Sequence, residues 1–159
     1  KGCVISGGKV VMEDIALNDI VLNRMGIDAF RFELAVNGQL FNEYSAGGMV
    51  VATPTGSTAY NLSAGGPIVA PEADLMVLTP LCPHSLNSRS IVLPPDNHLS
   101  LRIQTTGRTK VSLSFDGDTV VDIEPGDTIE IAKSEIETTL IQLKQVPFLE
   151  NIRNKMKQI

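Results

Sequence analysis

Phe30-Arg-Phe-Glu-Leu-Ala-Val36, then Asn37-Gly38, then Gln39 to Tyr44, is the stretch that sets the fold class. Phe30, Phe32, Leu34 and Val36 alternate with Arg31, Glu33 and Ala35, the period of a strand with one face buried. Asn-Gly is the dipeptide that best tolerates two successive positive φ angles, so the spacing predicts a tight hairpin with Gln39 to Tyr44 as its return strand.

Working outward, the same alternation recurs downstream in Leu99-Ser-Leu-Arg-Ile103 and Val111-Ser-Leu-Ser-Phe115, with further strand-like runs at Thr119 to Ile123, Thr128 to Ala132 and Thr139 to Leu143. Asp116-Gly117 and Pro125-Gly126-Asp127 punctuate them. Short strands at this spacing imply a mainly β domain of stacked sheets or a β-sandwich. Helix signals are few. One is a short helix over Ala59 to Ala64, with Ser57 or Thr58 as its cap. The other follows Pro147, where Phe148, Leu149, Ile152, Met156 and Ile159 recur near helical spacing and Arg153, Lys155 and Lys157 gather towards the end. The expected division is a β domain over 1–147 and a docking helix over 148–159 that packs on the sheet.

The 159 residues are 43% hydrophobic, enough for one domain with a real core. Charged residues make up 19% and the net charge is −5, so there is no basic field for nucleic acid or an anionic membrane. Cys3 and Cys82 stand apart from any CxxC or histidine cluster and read as reduced thiols. No apolar run reaches the roughly 18 residues that span a bilayer, and no signal segment opens the chain, so a cytoplasmic protein is expected. The chain begins at Lys1 without an initiator methionine and reads as a piece of something longer.

Chemistry concentrates in the middle. Met49-Val-Val-Ala52 is a short apolar strand that runs into Thr53-Pro-Thr-Gly-Ser-Thr-Ala-Tyr60 and Asn61-Leu-Ser-Ala-Gly-Gly-Pro67. Thr53, Thr55, Ser57, Thr58, Tyr60 and Ser63 put six hydroxyls within eleven residues, and Gly56 lets another group approach the backbone closely. An ordinary cap-rich turn fits this spacing as well as a ligand site does. The stretch is no P-loop, for it has no GxxxxGK[ST] and no lysine lies between Lys9 and Lys110. Hydroxyls, amides and backbone suit the sugars and bases of a dinucleotide better than a bare triphosphate. Neither His84 nor His98 has metal-site spacing, and GxSxG is absent, which disfavours hydrolase chemistry.

Residues 53 to 67 closely resemble the signature of the NAD kinase family. Ala16-Leu-Asn-Asp19 resembles that family's Ala-Leu-Asn-Glu, Thr79-Pro-Leu-Cys-Pro-His-Ser-Leu86 with Arg89 resembles its Thr-Pro-x-x-Pro-His-x-Leu, and Phe115-Asp-Gly-Asp118 matches a late turn. The resemblance implies phosphoryl transfer from ATP, or in some relatives polyphosphate, to the 2′-hydroxyl of the adenosine ribose of NAD, giving NADP. It also implies a two-domain enzyme whose N-terminal α/β domain carries Gly-Gly-Asp-Gly. No such string occurs here, since Gly7-Gly8, Gly47-Gly48 and Gly65-Gly66 each lack the aspartate. The base, the Mg²⁺ centre and most ATP contacts are then expected in the other half, with no catalytic residue and no metal ligand in this one.

By the same resemblance the NAD contacts are Asn18, Asp19, Thr55, Ser57, Thr58, Ala59, Tyr60, Asn61, Leu62, Ser63, Cys82, His84 and Asp118, with Leu62 turned into the core. Ser45 and Gly47 lie at the margin of the set: the family usually has aspartate where Gly47 stands, and Glu43, Asp116 or Asp118 could fill its role. Asp19 is one methylene shorter than the family's glutamate. The family also implies a homo-oligomer, dimer or tetramer, with sites shared between subunits. Two rival readings remain open: a non-catalytic dinucleotide-binding module, and the C-terminal domain of a related lipid kinase, whose pocket should be lined for an acyl chain.

Overall fold

The hairpin forms as its alternation requires. In the computed structural model, which describes residues 1–141, 143 and 146–157, strands β4 (Phe30–Val36) and β5 (Gln39–Ala46) pair antiparallel around Asn37 and Gly38 at φ 51° and 77°. Phe30, Phe32 and Leu34 are buried, and the Phe32 ring stacks on Tyr44 with centroids 5.3 Å apart. These side chains cover the inner face of a sheet ordered β2 (Lys9–Asp14), β1 (Gly2–Ser6), β12 (Thr128–Ile131), β9 (Leu99–Thr105), β4, β5.

A second sheet runs β11 (Thr119–Ile123), β10 (Val111–Phe115), β3 (Asp19–Arg24), β6 (Gly48–Ala52), β7 (Met76–Leu81), β8 (Ile91–Leu93). One core joins the sheets: Ile20, Leu22, Met49, Leu78 and Leu113 of the second meet Phe32, Leu34, Leu101 and Ile129 of the first. This is the stacked-sheet, mainly β architecture that the alternating runs predict.

The second sheet is buried on both faces at its centre, and every residue of β6 and β7 is buried. Its outer side chains Val21, Val50, Ala52 and Val77 pack under Ala64, Val69 and Leu75 of the long connection between β6 and β7. That connection is the hydroxyl-rich stretch, formed as a 3₁₀ turn (Thr55–Thr58) and a single helical turn, α1 (Tyr60–Ser63). Covering the sheet fixes the stretch in space.

Three expectations need correction. Neither Ser57 nor Thr58 caps α1: its N-cap is Ala59, without a side-chain hydrogen bond, because the Ser57 hydroxyl is occupied by the backbone of Val69. Leu62 does not point into the core; it is 39% exposed, while Asn61 beside it is fully buried. Thr139 to Ile141 and Leu143 lie outside any strand, since no neighbouring strand pairs with them and Leu140 and Ile141 remain exposed; Gln142 lies outside the described residues. A helix does follow Pro147, α2 (Phe148–Met156), with Phe148 and Ile152 half-buried and Leu149 and Met156 exposed. Ile159 lies outside the described residues.

Candidate functional site

The corner Ala16 to Asp19, where the chain enters β3, is held from two sides. On one side Asp116, in the turn between β10 and β11, accepts the backbone N–H groups of Leu17 (2.6 Å), Asn18 (2.7 Å) and Asp19 (3.0 Å), and its own N–H donates to Asp19 O. On the other, the Thr53 hydroxyl donates to Leu17 O (2.7 Å) and the Thr53 N–H to Asn18 O (2.9 Å). Gly56 lies so close that a Cβ there would fall 1.9 Å from Asn18 O. The turn needs glycine at that position because a backbone passes there. Ala16 packs on the core, while Asn18 and Asp19 border a cavity.

Asn18, Asp19, Asn23, Ala59, Tyr60 and Asp116 line a cavity of about 280 Å³ on the outer face of the second sheet. On the far side of the corner, Ile15 to Leu17, Thr53 to Thr55, Asp74 and Lys133 line a larger one of about 550 Å³, and Asp19 and Asp116 reach both. Asp19 is buried. Desolvation pushes its carboxyl up from the ordinary value, the charge of Asp116 adds to that, and a backbone hydrogen bond at Tyr60 pulls it back.

The signature stretch divides into an inner and an outer set. Asn61 is buried, its amide donating to Ser57 O and Pro67 O (3.0 Å each) while its carbonyl accepts the Thr79 hydroxyl (2.7 Å). With Ser57 on Val69, it locks the turn onto β7, and the side chains of Ser57 and Asn61 are occupied within the fold. Thr55, Thr58 and Ala59 are half-buried, and Tyr60, Leu62 and Ser63 are exposed. The Thr58 hydroxyl makes only a 3.5 Å contact to Thr55 O, so it is nearly free.

The remaining expected residues assemble elsewhere. His84 N–H donates to Ser45 O and Gly47 N–H to Leu81 O, which gathers Ser45, Gly47, Cys82 and His84 at the opposite end of the second sheet. The pairing Asp19 with Ala52 and Asn23 with Gly48 spans the gap between the ends; four residue steps at about 3.3 Å each make it ~13 Å. Asp118 is exposed, closing its turn through an N–H bond to Phe115 O.

Sequence reasoning missed two residues. Asp116 was legible as a turn residue and as a stand-in for the carboxylate missing at Gly47, but not as the group that holds the Asn18 corner. Arg24 carried no signal, yet a Cβ on Gly47 would meet its Nε at 3.2 Å, so the cation borders the spot where a family aspartate would stand.

A divalent cation takes several oxygen ligands. Among the described residues no three of His, Cys, Asp and Glu gather as such a group, and the Asp116 carboxylate is largely taken up by three N–H donors. These residues do not fit a metal centre.

The geometry thus defines a mainly β domain of two stacked sheets with a cavity lined by amide, carboxylate and hydroxyl groups at one end of a sheet. The chain belongs to the ATP-NAD kinase C-terminal domain family, whose model matches residues 17–143. It is 43% identical over 168 residues to an NAD kinase of Lachnospira eligens, covering 98% of this chain and 57% of that protein. It is likewise 43% identical over 146 residues to an NAD kinase of Agathobacter rectalis, covering 89% and 52%. The chain therefore spans about half the length of the relatives it matches. Among solved structures, yeast NADH kinase complexed with NADH superposes with a TM-score of 0.76 at 34% identity, over 82% of this chain and 38% of that one. An NAD kinase from Archaeoglobus fulgidus in complex with ATP shares the fold, with a TM-score of 0.77 over 99% of this chain and 59% of that one, at 23% identity. Among the described residues no helix is long and apolar enough to cross a membrane.

Proposed function

We propose that this chain is the dinucleotide-holding half of an enzyme that transfers the terminal phosphoryl group of ATP, or of polyphosphate, to the 2′-hydroxyl of the adenosine ribose of NAD. The observation that carries this reading is the corner Asn18-Asp19 fixed beside Ala59 and Tyr60. A buried carboxylate and an amide face a cavity without a lysine, which suits ribose hydroxyls. The relative solved with NADH supports it.

In such a transfer the protein mainly positions the acceptor. Asp19 accepts ribose O–H groups, Asn18 donates and accepts beside it, and Thr58, the Ala59 and Tyr60 backbone and Ser63 frame the rest. Ser57 and Asn61 act through the turn they lock rather than by touching the ligand. The second cluster, Ser45, Gly47, Cys82 and His84, lies about a dinucleotide's reach away and takes the far end of the molecule, with Asp118 at the margin. Mg²⁺, the base and most ATP contacts come from a Gly-Gly-Asp-Gly domain outside this chain. A cytoplasmic homo-oligomer, dimer or tetramer, completes the reading, and α2 docks on the sheet of its own chain.

The test is NADP formation by the whole protein from NAD, ATP and Mg²⁺, set against the 159 residues alone. The whole protein should make NADP and the isolated chain should bind NAD without turnover. A whole protein that binds NAD but forms no NADP would reduce it to a binding module.

A further inference from the structure

We propose that Asp116 is a positioning residue for the dinucleotide: its carboxylate gathers three successive amides and so sets where the Asn18 and Asp19 side chains stand. The inference rests on the NAD-binding reading above.

Asp116 sits in a hairpin turn at φ 50°, followed by Gly117 at φ 79°. A turn alone asks only for a residue that tolerates positive φ, and Asn or Gly would serve as well as Asp. The carboxylate does something the turn does not need. It reaches a segment 97 to 99 residues away in sequence and accepts Leu17, Asn18 and Asp19 N–H together. Successive N–H groups converging on one carboxylate form an anion-binding concavity, and full negative charge roughly doubles the strength of each bond. Asp116 N–H bonds back to Asp19 O, so the grip runs in both directions.

The charge also has a cost that a purely structural turn would avoid. Asp19 is buried close enough for the two carboxylates to repel. A neutral residue at 116 would spare the fold that repulsion, but it would leave one or more of the three amides without an acceptor. With Thr53 taking Leu17 O and bonding Asn18 O from the other side, the corner's backbone is fixed between two partners. Its freedom to misplace the ligand-facing side chains is removed before a ligand arrives.

Asp116→Asn and Asp116→Gly separate the grip from the turn, since both tolerate positive φ. Asn retains one oxygen and sets an NH₂ against an N–H donor; Gly removes the group altogether. In the whole enzyme, titrated with NAD by calorimetry, both should lose roughly tenfold or more in NAD affinity, with Gly losing at least as much as Asn. The KM for NAD should rise while the KM for ATP holds, a split that general loosening would not give. Native-state hydrogen exchange of the parent should show protected amides at Leu17, Asn18 and Asp19, whichever variants fold. Folded variants with parental NAD affinity, parallel loss for ATP and NAD, or unprotected amides in the parent would each overturn the assignment. A parent that binds no NAD would instead sink the functional reading, while the exchange data would still judge the grip.

Discussion

Gly56→Ala adds one methyl group at the point where the signature turn crosses the Asn18 backbone. Its Cβ would start 1.9 Å from Asn18 O, whereas ordinary contact begins near 3.4 Å, so the two segments must part by about 1.5 Å. The Thr53 N–H bond to Asn18 O, now 2.9 Å, then passes beyond hydrogen-bond range, and the 2.7 Å bond from the Thr53 hydroxyl to Leu17 O is lost with it. Two lost bonds at about 1 kcal/mol each, with an overpacking cost of about 1–3 kcal/mol, give a destabilisation of about 3–5 kcal/mol. For a domain of this size that lowers the melting temperature by roughly 6–20 °C. The ligand corner moves by more than an ångström as well, which should cost roughly tenfold to a hundredfold in NAD affinity. Differential scanning calorimetry and NAD titration of the same sample measure both. A variant that melts with the parent and binds NAD equally well would show that the segments are not in the contact described.

Asn61→Ala strips partners from Thr79, Ser57 O and Pro67 O; the expected loss is about 2–4 kcal/mol, read by urea unfolding, while side chains on the outer face stay as they are. Thr58→Val should weaken NAD binding or transfer by about 1–3 kcal/mol with little change in melting, since its hydroxyl is nearly free; unchanged kcat/KM for NAD removes it from the site. Asp19→Asn relieves a buried charge facing Asp116 and should raise the melting temperature while weakening NAD binding, so a drop in stability counts against the repulsion. The raised Asp19 carboxyl carries a sign: the folded state holds that proton more tightly than the unfolded one, so this group's contribution to stability is greatest at low pH and is lost as pH rises through its folded value. NAD affinity should fall in the opposite sense, on acidification, and the Asn variant should flatten that limb. Gly47→Asp sets a carboxylate beside Arg24 and should tighten NAD binding several-fold if the far end of the dinucleotide lies there; the 3.2 Å approach to Leu81 O makes a melt an essential control.

Alternating strands were legible because one face of each meets the core: β4, β9 and β10 follow their period of two, and Asn37-Gly38 turns as the dipeptide dictates. The central strands were harder to read. Asp19–Arg24 and Met76–Leu81 are buried on both faces and so lack alternation. Pro80 argues against a strand by its type, yet it lies past Leu78, where β8 has stopped pairing. Within the site, hydroxyl density pointed to residues 53 to 67, but spacing could not tell which side chains face in. Asn61 and Leu62 exchange their expected places because the turn's backbone needs an internal amide more than the core needs another leucine. The grip of Asp116 joins segments nearly a hundred residues apart, and nothing local announces it.

Both candidate clusters grow from the ends of the same strands, with β3 and β6 running between them and no joint on the way. The sheet therefore works as a gauge block. Its length is counted in whole residues, and the spacing it sets can be altered only by steps of about 3.3 Å that also turn every side chain beyond the step to the opposite face. Substitution can retune either end alone, whereas adding or removing a single residue in 19–24 or 48–52 would spoil both ends and the core together. Such a site can change its chemistry by degrees but not its calibre.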